Sequence, residues 1–250
     1  DEGFEGLECK DHGLTRLPAA EKHGLVWVTG TPGPEIDVDA LLGGLAPEMA
    51  AYGIASHIPF KTARLEKQMN WKLAIDTFLE TWHVATLHVA TVAPIFQPNV
   101  NAFDAFGRNG RLIIPRRTIV EMRGGKGPEN GFLKHTAIVY QMFPNAALVW
   151  QADHFELWRA FPAGDDPARC ITEATLYTPE PATSDKAKAY WEKNFDLLMR
   201  TVEAEDFPVC EGIQRGLLSG AQEHITFGRN EPALGHYHAS LAAALGAQHG

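Results

Sequence analysis

The sequence predicts an α+β domain in which an antiparallel sheet grips a long C-terminal helix. Three observations predict it. A segment of helical period runs over residues 71–83. Short β-prone runs follow from 112 to 177, separated by glycine- and proline-containing turns. A long amphipathic stretch then begins near Ser184. The order helix, many strands, long helix suits a sheet that buries its apolar face against the last helix.

Residues 1–30 read as strands and turns, with Leu25-Val26-Trp27-Val28 as a β-prone run entered from Gly24 and left at Gly30. Thr31 to Pro34 is a cluster of breakers and the expected domain boundary. Asp37 is placed to cap a short helix over 37–51. Leu41, Leu42, Leu45 and Met49 have helical spacing, and Gly43-Gly44 interrupts it. Residues 63–70 are expected as a strand with alternating faces. Leu73, Phe78, Leu79 and Trp82 are the apolar members of the helix over 71–83. Successive strands are expected over 112–114, 118–120, 136–140, 147–150, 155–158 and 171–176. Gly124-Gly125, Pro144-Asn145 and Gly164-Asp165 supply turns, the pattern of an antiparallel sheet. Thr183 or Ser184 caps the final long helix, and Tyr190, Trp191, Phe195, Leu198 and Met199 form its apolar face. Pro208 interrupts it, because proline lacks the backbone donor and clashes with the preceding turn. Cys210, Ile213, Leu217 and Leu218 continue a helix beyond.

The chain has 250 residues, 45% of them hydrophobic and 21% charged, enough for one large domain or a domain plus a fragment. The net charge of −9 and scattered basic residues argue against a nucleic-acid surface. No apolar run is long enough to cross a bilayer and no signal-peptide pattern opens the chain. Neither nucleic acid nor membrane is therefore expected as a partner. Cys9, Cys170 and Cys210 are too few and too far apart for a disulfide framework, which points to a reducing, cytoplasmic compartment.

The chemistry concentrates in Asn70-Trp-Lys-Leu-Ala-Ile-Asp76-Thr-Phe-Leu-Glu80-Thr-Trp-His83-Val-Ala-Thr-Leu-His88. At about 100° per residue, Asp76, Glu80 and His83 fall on nearly one helix face, whereas His88 lies about 140° round from His83. Both histidines reach one site only if the helix ends, or widens by a π-type turn, between them. The β-branched Val84, Thr86 and Val89 make an ending there reasonable. Two imidazoles and one carboxylate on one face of an octahedron leave positions open for O₂ and substrate. Glu203, Glu205, Asp206 and Glu211 are candidate carboxylates, and spacing alone does not choose among them. The spacing differs from that of His-Glu-x-x-His zinc proteases. The competing reading is an ordinary pair of amphipathic helices with structural histidines.

Asn70-Trp71-Lys72 and Glu80-Thr-Trp-His83-x4-His88 resemble the iron-binding segment of the Rieske non-haem iron oxygenases, the large (α) subunits of ring-hydroxylating dioxygenases and related mono-oxygenases. Glu205-Asp206 with Glu211 and Gln214-Arg215-Gly216-Leu217 resembles that family's C-terminal ligand segment. Phe143-Pro144-Asn145, Phe227-Gly228-Arg229-Asn230-Glu231 and His236-Tyr237-His238 are similar as well. The resemblance spans essentially residues 20–240. It implies a helix-grip, Bet v 1-like catalytic domain over 31–250 with His83, His88 and Asp206 as ligands of a mononuclear Fe(II). It implies Glu80 as the acidic link to a Rieske [2Fe–2S] cluster in a neighbouring subunit. It places Asp76 near the iron, as a supporting or merely structural group.

The cluster's Cys-x-His and Cys-x-x-His pairs are not in this chain. Cys9-Lys-Asp-His12 matches the second pattern once and is read as incidental. Residues 1–30 are expected to be the remnant of an N-terminal Rieske domain, and the chain a fragment. The expected activity is hydroxylation or demethylation of a small aromatic or related organic substrate with O₂, in the manner of aromatic hydrocarbon catabolism. The expected partners are a ferredoxin or reductase and further copies in a homotrimer or a multiple of one. Trp82, Tyr140, Phe143, Trp150, Phe155 and Trp158 are the aromatic candidates for the pocket, and Arg159 or Arg117 for a substrate carboxylate, a surface role being the plainer reading of each. A zinc-dependent hydrolase and a non-catalytic helix-grip ligand-binding protein are the alternatives.

Overall fold

The computed structural model describes residues 12–123, 131–222 and 224–246. Two compact units divide after Ser56, beyond the breaker cluster at 31–34 where the sequence suggested a boundary. In the first unit, β1 (Ala19–Lys22) and β2 (Leu25–Val28) pair antiparallel. His23 and Gly24 both have positive φ, 54° and 76°, as a two-residue type I′ turn requires. A Cβ at Gly24 would lie 2.3 Å from the Ala55 nitrogen, so this hairpin packs directly on the last turn of its own unit. Residues 31–34 therefore connect elements within a unit. Asp37 caps α1 (Val38–Leu42), accepting from Ala40 N. A 3-10 turn at Gly43–Leu45 then leads into α2 (Ala46–Tyr52), so the glycine pair does interrupt the helix.

The second unit is built on β3 (Ile58–Lys67), β4 (Ala102–Phe106), β5 (Asn109–Pro115), β6 (Thr136–Met142), β7 (Ala146–Trp150), β8 (Phe155–Ala163) and β9 (Asp166–Thr178). They form a seven-stranded antiparallel sheet in the order β3-β9-β8-β7-β6-β5-β4. β4 to β9 run as a meander, and β3 closes on β9 from Ile58↔Thr178 to Lys67↔Cys170. Helices α3 (Trp71–Asp76) and α6 (Asp185–Thr201) pack on the sheet, and α6 continues through a π-turn, Val202–Asp206, into α7 (Phe207–Leu218). Ser184 is the cap chosen for α6, accepting from Ala187 N at 3.1 Å. The core joins Val139, Val149, Trp158 and Ala174 of the sheet to Leu198, Val202 and Phe207 of the helix, the grip that the element order predicted. Two short helices, α4 (Val84–Leu87) and α5 (Gly131–Lys134), and the longer α8 (Pro232–Ala244) complete the described part of the unit.

Two local expectations are corrected, and one strand had gone unannounced. Residues 118–120 are not a strand but lie in a 3-10 segment, Arg117–Met122, which leaves the sheet after Pro115. β4 had no apolar run to announce it; Phe103 and Phe106 are its only large apolar residues. The helix over 71–83 stops at Asp76. The turn at Gly124-Gly125 lies outside the described residues.

Candidate metal centre

α3 begins where the Asn70 side chain accepts from Lys72 N at 3.0 Å and ends where Thr77 Oγ1 donates to Ala74 O, a local bond that competes with continuation of the helix. Residues 77–83 then form turns. The Glu80 carboxylate accepts from the backbone N–H groups of Trp82 and His83 and so organises the start of α4. His83 and His88 flank this one-turn helix as its N-cap and C-cap. The expected break between them is thus replaced by a single turn, and neither histidine shares a helix face with Asp76. The β-branched Val84 and Thr86 sit inside that turn rather than ending it.

The widened turn does occur, but at the other end of the site. Within the π-turn the Phe207 N–H reaches back to Val202 O, and Asp206 closes it, almost fully buried. One ligand-type atom from each of His83, His88 and Asp206 lies within 4.8 Å of the others. Asp206 Oδ1 is 3.0 Å from His88 Nε2 and 3.5 Å from His83 Nε2. The two rings meet edge to face with centroids 5.0 Å apart. Each Nδ1 is held from behind. His83 Nδ1 pairs with Glu80 Oε1, and His88 Nδ1 pairs with Glu205 Oε2 at 2.6 Å, where Thr91 Oγ1 also donates at 2.6 Å. With a carboxylate behind each Nδ1, both Nε2 atoms face Asp206, the arrangement that metal-ligating histidines need.

The electrostatics agree with a cation-shaped gap. Burial pushes the Asp206 carboxyl above its ordinary range, against the pull of His88 and His83. Burial also works against charge on His88, but Asp206 and Glu205 outweigh it and raise its pKa. Two neutral imidazoles and a carboxylate with open positions fit a ferrous ion. Glu203 and Glu211 are elsewhere: Glu203 pairs with Lys67, and Glu211 accepts from Gln68 N. Asp76 is also apart from the three ligand atoms. It pairs with His238 Nε2 at 2.9 Å, and burial raises its pKa. Neither the role of Glu205 and Thr91 nor the partner of Asp76 was separable by spacing.

Two cavities meet at this centre, and Glu80, His83 and Asp206 border both. The larger, about 480 Å³, runs from His88 past Phe78, Phe96, Val139 and Val149 to Arg116, His154 and Tyr190. None of the six aromatic candidates borders it. Side chains alternate along a strand. The pairs Val139↔Val149 and Val149↔Glu156 set the cavity face, so Tyr140, Trp150 and Phe155 point to the opposite one. Trp158 shares the cavity face but packs between Phe78 and Phe207. Trp82 is 44% exposed, outside the larger cavity. Arg159 pairs with Glu173, and Arg117 donates to Ala93 O.

A family model described as the ring hydroxylating alpha subunit (catalytic domain) matches residues 56–247. The chain belongs to this family. Among its relatives, the chloroplastic choline monooxygenase of Amaranthus tricolor is 24% identical over 248 residues, covering 96% of this chain and 53% of the relative. The choline monooxygenase of Beta vulgaris is likewise 24% identical over 250 residues. The chain thus spans about half the length of these relatives. The solved structure of the quaternary ammonium Rieske monooxygenase CntA superposes with a TM-score of 0.76 at 16% identity, covering 97% of this chain and 65% of that one. Dicamba monooxygenase bound to dicamba superposes at 0.54 and 12%, covering 92% and 70%. These likenesses show a Rieske oxygenase catalytic-domain fold, and the relatives are oxidoreductases. No helix among the described residues is long and apolar enough to cross a membrane.

Proposed function

We propose that the chain is the catalytic part of an oxygenase, in which His83, His88 and Asp206 hold one Fe(II) ion and a small organic substrate enters the larger cavity. The observation that carries this reading is the convergence of three ligand atoms within 4.8 Å, with both imidazoles oriented by carboxylates. When bound, the iron supplies O₂ activation for hydroxylation or demethylation. The residues do the rest. Glu80 and Glu205 hold the two Nδ1 protons and fix the rings. Phe78, Val139 and Val149 supply apolar wall beside the ligands.

On this reading Glu80 links the site to a [2Fe–2S] Rieske cluster outside this chain, reduced by a ferredoxin or reductase. Burial works to raise the Glu80 carboxyl, but His83 and the two backbone N–H groups outweigh it and keep it ionised, as a bridging acceptor should be. The second cavity opens beside Glu80 between the partly exposed Trp82, Val209 and Ile213, which suits docking of a cluster domain from a neighbouring subunit in a homotrimer. Residues 1–30 are then the end of this chain's own cluster domain. Cys170 and Cys210 are unpaired and buried, which supports a reducing, cytoplasmic setting. Asp76 acts through its bond to His238, positioning the wall of that second cavity.

The test is metal analysis after anaerobic loading. The wild type is expected to retain one Fe(II) per chain and to consume O₂ with substrate once its cluster and reductant are supplied. His83→Ala, His88→Ala and Asp206→Ala are each expected to lose the iron. Preferential retention of zinc with hydrolytic activity would replace the oxygenase by a hydrolase, and unchanged metal content in all three variants would leave only a ligand-binding protein.

A further inference from the structure

The end of the larger cavity away from the metal ligands carries its own polar group set. Arg116 follows β5 and lies beside Phe96, its guanidinium 5.4 Å from that ring, and both side chains border the cavity. The guanidinium makes three hydrogen bonds: Nε to Thr136 O at 3.4 Å, Nη2 to Gln151 O at 3.2 Å and Nη2 to Gln151 Oε1 at 2.9 Å. All three acceptors are neutral oxygens. Nη1 has no partner among the described residues. A partly buried cation of this kind is costly to leave without an anion in contact.

Two carboxylates stand near but are already engaged. Asp153 Oδ1 pairs with His154 Nδ1 at 2.7 Å, and Oδ2 accepts from Tyr190 OH at 2.6 Å. Glu156 Oε1 lies 3.6 Å from His154 Nε2. His154 is buried between them, and although burial opposes its charge the two acids raise its pKa to about 9, so it is an imidazolium at neutral pH. Both carboxylates thus turn to His154, and Asp153 also to Tyr190, which leaves the Nη1 donors of Arg116 without an anion in contact among the described residues. Asp153, Glu156 and Tyr190 are the groups that act on Arg116, whereas His88, His83 and Glu205 act on Asp206, so the two polar groups lie in different surroundings. Tyr190 and Asp206 lie sixteen residues apart along one continuous helix, a rise on the order of 20 Å. A molecule held at one end can place a distant carbon at the other.

We infer that Arg116 binds an anionic head group, a carboxylate or sulfonate, on a substrate whose apolar body extends toward His83, His88 and Asp206. Nη1 keeps both of its N–H donors for the oxygens of such a group, and a charge-assisted hydrogen bond to an anion is stronger than one to a neutral acceptor. This deepens the oxygenase reading by giving its substrate class, but its test needs binding alone. Benzoate, 4-methylbenzenesulfonate and hexanoate, each with its matched amide or sulfonamide, are titrated calorimetrically into the iron-loaded protein. At least one acid is expected to bind tenfold or more tightly than its neutral partner. In Arg116→Gln that preference is expected to fall within twofold, with iron content and melting temperature unchanged. No preference in the wild type, a preference that survives Arg116→Gln, or one that disappears only when iron is removed would each overturn the proposal. If Arg116→Gln fails to fold, Arg116→Lys decides: it keeps the charge and loses the Nη1 donors, so a reduced preference supports the assignment and an undiminished one refutes it. Iron content is read in the same samples, and if the wild type binds none, the acid-versus-amide comparison still stands on the metal-free protein.

Discussion

Glu205 and Asp206 are neighbours in sequence with different tasks. Asp206 Oδ1 faces the histidines, while Glu205 Oε2 accepts from His88 Nδ1 and Thr91 Oγ1. Loss of a carboxylate behind a ligating histidine commonly weakens metal binding by about 10–100-fold. Glu205→Gln is expected to lie in that range, measured by Fe(II) competition with a chelator of known affinity; an unchanged affinity would show that Glu205 only fills space. Trp158 presents the opposite balance. Its Nε1 is buried without a partner among the described residues, and its ring packs on Phe78 and Phe207. An unsatisfied buried donor costs about 1–3 kcal/mol. Trp158→Phe removes the donor along with part of the ring, so the two effects oppose and stability in urea should change by about 1 kcal/mol or less. Trp158→Ala has no such offset and should cost about 3–5 kcal/mol.

The element that decides the site is the π-turn joining α6 to α7. Two causes compete to explain it. Pro208 lacks an N–H and would crowd the Ala204 carbonyl in a regular helix. Independently, α7 is held in register by buried Phe207, by Gln214 accepting from Asn70 N at 2.8 Å and by Glu211 accepting from Gln68 N at 2.9 Å. Removing the π-turn would rotate α7 by about 100° per residue of slip and expose Phe207, and losing one buried Phe costs about 3–5 kcal/mol. A regained helical hydrogen bond returns only about 1 kcal/mol. The packing therefore wins. Pro208→Ala is expected to keep one iron per chain with affinity within tenfold of wild type. A larger loss would assign the turn to the proline itself.

At the scale of the whole second unit, His154 ties the β7–β8 turn to α6 through Asp153 and Tyr190. Its folded pKa, about 9, lies above the ordinary value of 6.5, because the two carboxylates outweigh the opposing effect of burial. A raised histidine pKa stabilises the fold fully below about pH 6.5, and that stability is lost as pH rises through about 9. At 1.36 kcal/mol per unit the contribution is at most about 3 kcal/mol. Chemical denaturation at pH 6, 7.5 and 9.5 should show the wild type losing stability across this window relative to His154→Gln, which has no charge to lose there. Parallel curves for the two proteins would mean that the tie contributes nothing.

Periodicity and turn chemistry alone determined the fold class, most of the meander, a cap at Thr183 or Ser184 and the glycine interruption between α1 and α2, because each depends on neighbours a few residues apart. His83 and His88 were legible as candidates for the same reason, whereas spacing left several acids open and only the family resemblance pointed to Asp206. Three things were decided only in the folded chain. α3 stops early through a side-chain bond at Thr77, a balance too small for propensity to register. The cavity wall excludes Tyr140, Trp150 and Phe155 because strand register assigns each side chain to a face. Arg116, rather than Arg117 or Arg159, borders the cavity because the chain leaves β5 at Pro115 and turns its next side chain toward Gln151 and Phe96. Sequence sets which chemistry is present; long-range packing sets which atoms can meet, since the His83, His88 and Asp206 cluster and the Arg116 surroundings each draw on groups far apart along the chain.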